Sequence, residues 1–126
     1  MRAVDTNVLV RLVTRDDAKQ AARADDFVSS GAWVSHLVLA ETAWVLSAVY
    51  ELEARSIATA IEMLLAHEAL SLQDPDVVRF ALDHFRTRPA LGFSDCLILE
   101  VARAAGHVPM GTFDRDLSKL AGAQRL

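Results

Sequence analysis

The stretch AVDTNVLVRL, residues 3–12, joins a short apolar run to a longer apolar pattern through a single acid, Asp5. An apolar run too short for a helix, followed by helical spacing, is typical of a β-strand that leads into an α-helix. Acids at such a junction commonly cap the helix. In a parallel sheet the junction is also where ligands bind, because the carboxyl ends of the strands meet at one edge. Taken alone, the stretch favours the cap.

The same alternation of strand and helix continues along the chain. Short apolar runs fall at Ala3–Val4, Ala32–Val34, Ala69–Leu72 and Val108–Met110, with a weaker one near the C-terminus, and helical patterns fall at Val8–Val13, Ala18–Val28, Leu37–Tyr50, Ile57–Ala66, Val77–Phe85 and Cys96–Ala104, with a short turn at Leu117–Leu120. Strands that alternate with helices indicate a parallel sheet packed against helices. We therefore predict an α/β fold, a three-layer α/β/α sandwich with a central, mainly parallel sheet of four to five short strands.

Length and composition limit the class of protein. The chain has 126 residues, 52% of them hydrophobic, which suits one domain, residues 1–126, with a single core. A net charge of -4 argues against binding nucleic acid through overall basicity. The only cysteine, Cys96, allows no intramolecular disulfide, which favours a reducing cytoplasm. No apolar run is long enough to predict a membrane span or an export signal.

Glu41 is the only ionisable side chain between Leu37 and Val49, a stretch that is apolar on almost every face of its predicted helix. No lysine or arginine lies between Arg23 and Arg55. A buried carboxylate without a partner is costly. Glu41 therefore either reaches the surface or meets a partner from another part of the chain, and a metal ion would suit a lone acid.

A similar acid stands near the start of the last long helical pattern. In FSDCLILEVA, Ser94 can cap the helix and Asp95 lies in its first turn. Glu100 comes five positions later, which places it on another side of the helix. Simple stabilisation of the helix dipole would explain Asp95 by itself.

Two more acids follow the last clear strand. In GTFDRDL, Asp114 and Asp116 open a short helix after a strand that ends near Thr112. Capping again explains each acid alone. Yet Asp5, Asp95 and Asp114 all stand where helices are predicted to begin, and the acid of the apolar helix also follows a strand. Coincidence explains this set poorly.

Four stretches, DTNVLVRL, LAETAWVL, FSDCLILEVA and GTFDRDL, occur in this order across essentially the whole chain. Together they resemble the PIN-domain family, and most of all the VapC toxins of bacterial toxin–antitoxin pairs. The resemblance assigns catalytic and metal-binding roles to Asp5, Glu41, Asp95 and Asp114, with Asp116 as a further metal contributor and Asn7 and Thr112 as supporting polar residues. Two positions depart from the family's pattern. Cys96 stands where alanine is common and Leu117 where an aromatic residue is common, and neither change removes a carboxylate.

The acids point to a particular chemistry. Converging carboxylates repel one another unless they bind protons or a cation. Oxygen ligands favour hard ions, so the predicted cofactor is Mg²⁺, with Mn²⁺ as a substitute. Such an ion lowers the pKa of a bound water and offsets charge on a phosphodiester. We therefore predict metal-dependent hydrolysis of a phosphodiester, and the resemblance implies that the substrate is RNA.

The resemblance also implies partners. It implies an endoribonuclease that cuts a structured cellular RNA such as tRNA or rRNA, a VapB-like antitoxin that inhibits it, and a homodimer. Arg86 and Arg88 lie shortly before Asp95 and are candidate contacts to RNA phosphates. A solvated surface charge is the favoured explanation for Arg86, and phosphate binding is favoured for Arg88.

The dimer surface is expected on the helices predicted at Leu37–Tyr50 and Ile57–Ala66. They carry more apolar surface than one small sheet easily covers, with Ile57, Ile61, Leu64 and Leu65 at helical spacing. The same residues would also suit a core.

Two other classes of function are alternatives to a nuclease. Phosphatases with an aspartate nucleophile after the first strand need a second aspartate two residues later, where this chain has Asn7, so that class is excluded. A non-catalytic PIN-like module that binds RNA or protein without cutting is the remaining alternative.

Overall fold

The computed structural model describes all 126 residues. In chain order the elements are β1 (Arg2–Ala3), α1 (Thr6–Thr14), α2 (Ala18–Val28), β2 (Ala32–Val34), α3 (His36–Ala48), α4 (Ala54–Ala66), β3 (Leu70–Leu72), α5 (Pro75–Thr87), α6 (Phe93–Ala104), β4 (Met110–Thr112), a 3₁₀ turn (Leu117–Lys119) and β5 (Ala123–Arg125). The chain divides into two compact units, Met1–Pro75 and Asp76–Leu126. None of the helices combines the length and the apolar character needed to cross a lipid bilayer.

The first unit contains a parallel sheet in the order β1-β2-β3. Trp33 pairs with Ala3 on one side and with Ser71 on the other. Along β2, Ala32 and Val34 are buried while Trp33 is partly exposed, as expected when successive side chains point to opposite faces. Because all three strands run in the same direction, the residues that follow them come out at one edge of the sheet.

Polar side chains start the first three helices of this unit. Asp5 accepts a hydrogen bond from the Val8 amide at 3.2 Å, and Asp17 accepts one from the Gln20 amide at 3.0 Å. Ser35 caps α3 in the same way. The expectation that Asp5 caps the first helix is therefore confirmed, since its side-chain oxygen satisfies an amide that the first turn leaves without a partner.

The second unit combines α5 and α6 with the parallel pair β4 and β5. Thr112 pairs with Arg125 at the end of this pair. Phe85 of α5 and Phe93 of α6 meet edge to face, with ring centroids 6.0 Å apart. Both rings are buried, and this aromatic contact ties the two helices together.

The predicted α/β class with five short parallel strands is confirmed. The strands differ from the prediction in forming two sheets of three and two strands, because each strand is only two or three residues long and β4 finds its partner in β5 of the same unit. The expectation that Ser94 caps α6 is wrong. Gly92, two residues before Ser94, precedes the first turn, and the buried Phe93 is the first residue of the helix.

Candidate active site

Asp5 stands where β1 passes into α1. One of its carboxylate oxygens, Oδ1, accepts the hydrogen bond that caps the helix, and the side chain is exposed. Asn7, in the first turn of α1, is exposed as well and lines a groove of about 300 Å³ between α1 and α2. A carboxylate has about four lone-pair sites, so a single cap leaves most of its capacity for a ligand. The cap and the functional role are therefore compatible.

Glu41 lies in the second turn of α3, which follows β2. The side chain is exposed, so the first of the two alternatives raised by the sequence holds: Glu41 reaches the surface. It shares this face of the helix with Leu37 and Trp44, at spacings of four and three residues, and both are largely exposed. β1 and β2 are neighbours in the sheet, so Asp5 and Glu41 follow adjacent strands.

Asp95 lies in the first turn of α6 and is partly buried. Its pKa is raised above the usual value for an aspartate, first because burial disfavours the charged form and second because Asp114 carries a like charge nearby. The structure thus brings Asp95 and Asp114 together in the second unit. Burial also raises the pKa of the neighbouring Cys96 thiol to about 11, which keeps it protonated at neutral pH.

Asp114 is held at the start of the 3₁₀ turn. Its Oδ1 accepts a hydrogen bond from the Leu117 amide at 3.0 Å, and its own amide donates to Oγ1 of Thr112 at 3.0 Å. Thr112 therefore supports Asp114 from the end of β4. Asp116 is exposed and lies 3.6 Å from the ammonium of Lys119, a loose surface pair.

The raised pKa of Asp95 predicts how stability depends on pH. Between the usual value of 3.8 and its higher folded-state pKa, the folded protein binds more protons than the unfolded chain, so the free energy of unfolding falls as pH rises through that window. We expect Asp95→Asn to raise the melting temperature of the metal-free protein at pH 7 and the gain to shrink below pH 3.8. Calorimetry in EDTA measures both. Asp83→Asn, at an exposed position of α5, is the control, and a lower melting temperature for Asp95→Asn at pH 7 would contradict the prediction.

The four predicted acids offer only oxygen ligands to a metal ion. Their donor chemistry fits Mg²⁺ or Mn²⁺, since every candidate ligand atom is a carboxylate oxygen and the pKa of Asp95 shows repulsion that a cation would relieve. Within neither unit do three His, Cys, Asp or Glu side chains cluster closely enough to hold an ion. Of the four predicted acids, Asp5 and Glu41 belong to the first unit, and Asp95 and Asp114 belong to the second.

The predicted RNA contacts lie near the end of α5. Arg86 is in its last turn and Arg88 follows it, and both side chains are exposed. The Arg88 amide donates to the carbonyl of His84 at 2.9 Å, which continues the helical pattern past Thr87. Two cations at a helix C-terminus also stabilise the helix dipole.

Sequence reasoning missed the environment of Glu100. This side chain is 5% exposed, and its oxygens contact Nε2 of His84 at 3.2 Å and Nε of Arg103 at 2.8 Å. The spacing of three residues between Glu100 and Arg103 was a signal that could have indicated an ion pair on α6. The burial of the acid could not be read from that spacing.

Comparisons with known proteins add the following findings. The sequence model of the PIN-domain family matches residues 2–123, a span that includes most of both units. Among solved structures, the crystal structure of Mycobacterium tuberculosis VapC20, described as a Sarcin-Ricin loop cleaving toxin, aligns over 98% of each chain with 18% sequence identity and a TM-score of 0.43. No curated protein matches the chain.

Proposed function

Because the chain belongs to the PIN-domain family, we propose that it is a single PIN domain, residues 1–126, that acts as a metal-dependent endoribonuclease and as the VapC-like toxin of a toxin–antitoxin pair. The proposed catalytic and metal-binding acids are Asp5, Glu41, Asp95 and Asp114, with Asp116 as a further metal contributor. The proposed substrate is a structured RNA such as tRNA or rRNA, and the proposed compartment is the cytoplasm.

The observation that carries this proposal is the pair formed by Asp95 and Asp114. Partial burial of Asp95 and, second, the like charge of Asp114 raise the pKa of Asp95, because both disfavour its charged form. A fold that served only as a scaffold would gain nothing from this repulsion. Perturbed carboxylates are common at functional sites, and a hard divalent cation relieves their repulsion directly.

The side chains of the chain would divide the work of phosphodiester hydrolysis. When bound, Mg²⁺ or Mn²⁺ supplies a positive charge that acidifies water and neutralises the phosphate. Asp95 and Asp114 would hold the ion in the second unit, while Thr112 orients the backbone of Asp114. Asp5 has lone pairs left beyond its cap, so it could bind a cation or accept a hydrogen bond from water.

A cleavage assay tests the proposed function. The protein is incubated with total RNA in the presence of Mn²⁺ or Mg²⁺, and in parallel with EDTA. We expect discrete fragments with either metal and intact RNA with EDTA. Intact RNA under every condition, together with retention of RNA on the protein, would reject the nuclease and favour the non-catalytic binding module.

We also propose a homodimer, on a surface that the structure corrects. Ile57, Ile61 and Leu64 are buried and form core, so they do not supply the expected apolar face. Trp44 and Met63, on α3 and α4, are instead 62% and 59% exposed. Exposed apolar side chains of this size are typical of interaction surfaces. Light scattering at micromolar concentration should show a dimer for the wild type and a monomer for Trp44→Glu; a monomeric wild type would contradict the proposal.

The remaining proposed partners are RNA and an antitoxin. Arg86 and Arg88 are exposed and can reach phosphates, and their proposed role is to hold the RNA backbone. A VapB-like antitoxin would place a cationic side chain against the exposed acids, Asp5 among them. Such an antitoxin should suppress cleavage in the same RNA assay, and cleavage that continues in the complex would reject this role.

A further inference from the structure

The buried acid Glu100 has no part in the proposed chemistry, yet the chain keeps its charge inside the fold. Glu100 is 5% exposed, and a charge so placed must be paired. Its oxygens meet Arg103 on the same helix and His84 on α5. Five residues separate Glu100 from Asp95, about 7.5 Å along the helix axis, and place it on a different side of α6. Glu100 is therefore close to the acidic pair without being part of it.

Arg103 connects this buried acid to another segment of the chain. Its Nε donates to Glu100 at 2.8 Å, while its Nη2 donates to the backbone carbonyl of Ala121. One guanidinium therefore joins α6 to the segment just before β5. A rigid guanidinium with several donors can make both bonds at once, whereas a lysine ammonium is a single point of attachment.

Gly122 makes room for this guanidinium. A Cβ at position 122 would lie 2.9 Å from Nη1 of Arg103. The backbone φ of Gly122 is +91°, a conformation that residues with a Cβ rarely adopt. The glycine thus permits both the turn and the close approach of Arg103. The contact between α6 and this segment depends on two matched residues.

The same segment leads by hydrogen bonds to Asp114. The carbonyl of Gly122 accepts from the Met110 amide at 2.8 Å, at the start of the pairing of β4 with β5. β4 ends at Thr112, whose Oγ1 accepts a hydrogen bond from the Asp114 amide. Glu100 and Arg103 are thus linked to Asp114 through a short series of contacts within the second unit, while Asp95 sits on the same helix as the clamp.

We propose that Glu100 and Arg103 are positioning residues, a clamp that holds Asp114 at a fixed distance from Asp95. Asp95 lies in the first turn of α6, and Asp114 follows β4, which pairs with β5 just after the Ala121–Gly122 segment. The clamp joins α6 to that segment and so restrains the positions of the two acids relative to each other. The inference rests on the proposed function only in taking this acidic pair as the working site.

The test replaces Arg103 with lysine, which keeps a cation near Glu100 and removes the second attachment. Hydrogen exchange of backbone amides, followed by NMR on the intact chain in EDTA, is the first readout. We expect the amides of Asp114 and Leu117 to exchange about three- to tenfold faster, the range given by the loss of one hydrogen bond. Amides within α5, such as those of Val78 and Leu82, should exchange as in the wild type. Arg79→Lys, in the exposed pair with Asp76, is the matched control and should change neither set.

Catalysis supplies the second readout. In the RNA assay Arg103→Lys should lower kcat by about tenfold and leave KM unchanged. Substitutions of residues that orient metal ligands commonly have an effect of this size. Gly122→Ala places a Cβ against the Arg103 guanidinium and should give the same local exchange pattern. Unchanged exchange at Asp114 and Leu117, or faster exchange throughout α5 as well, would overturn the clamp. Local loosening together with a wild type that cleaves no RNA would support the clamp and reject the proposed nuclease.

Discussion

Asp5→Asn is expected to lower the rate of RNA cleavage by about 100-fold or more and to leave the melting temperature of the metal-free protein unchanged. Asparagine caps a helix as well as aspartate does, so the hydrogen bond from the Val8 amide survives the change. In its proposed role as a cation ligand, residue 5 would lose its charge. Substitution of residues that only support metal ligands already lowers metal affinity or activity by about 10–100-fold. The measurement pairs the RNA assay with thermal melts in EDTA.

Adding Mn²⁺ separates the two roles of Asp5 further. A ligand that binds only the folded state stabilises it, so the wild type should melt at a higher temperature with Mn²⁺, and Asp5→Asn should gain less. Asp17→Asn is the matched control, because Asp17 caps α2 as Asp5 caps α1 and is not among the candidate ligands. If Asp5→Asn cleaved RNA normally and gained as much stability from Mn²⁺ as the wild type, Asp5 would be a structural cap alone.

Arg103→Ala is expected to have the largest effect on stability among the charged positions, about 2–3 kcal/mol. Removing one partner of a buried ion pair typically costs about 3–5 kcal/mol because the other charge is left unpaired. The lower figure follows because the Arg103 side chain is 38% exposed and His84 remains beside Glu100. For a chain of this size the melting temperature should fall by about 8–12 °C.

Two further variants test the cause of that loss. Arg79→Ala breaks an exposed pair with Asp76 and should cost less than about 1 kcal/mol. The double change of Glu100 and Arg103 to leucine removes the unpaired charge, so it should recover at least half of the stability lost in Arg103→Ala. A double variant less stable than Arg103→Ala would show that the ion pair is not the cause.

Much of the architecture could be read from local patterns. The apolar run at Ala32–Val34 and the helix at Ala18–Val28 have the predicted bounds, because strand and helix periodicities are local properties of the chain. The helix cap at Asp5 was readable for the same reason, since a cap bonds only a few residues ahead. The start of α6 was missed by two residues, where burial of Phe93 outweighed a good capping residue.

The candidate site divides in the same way. The sequence by itself predicted which acids form the site, because their order and spacing resemble those of the family, and it predicted a hard cation as the ligand, because all of them are carboxylates. Only the tertiary structure decided that Asp95 is partly buried beside Asp114 and that Glu41 is exposed. It alone also decided that Glu100 is buried against His84 and Arg103. Burial and charge contacts join residues that are distant in the chain, so no local pattern determines them.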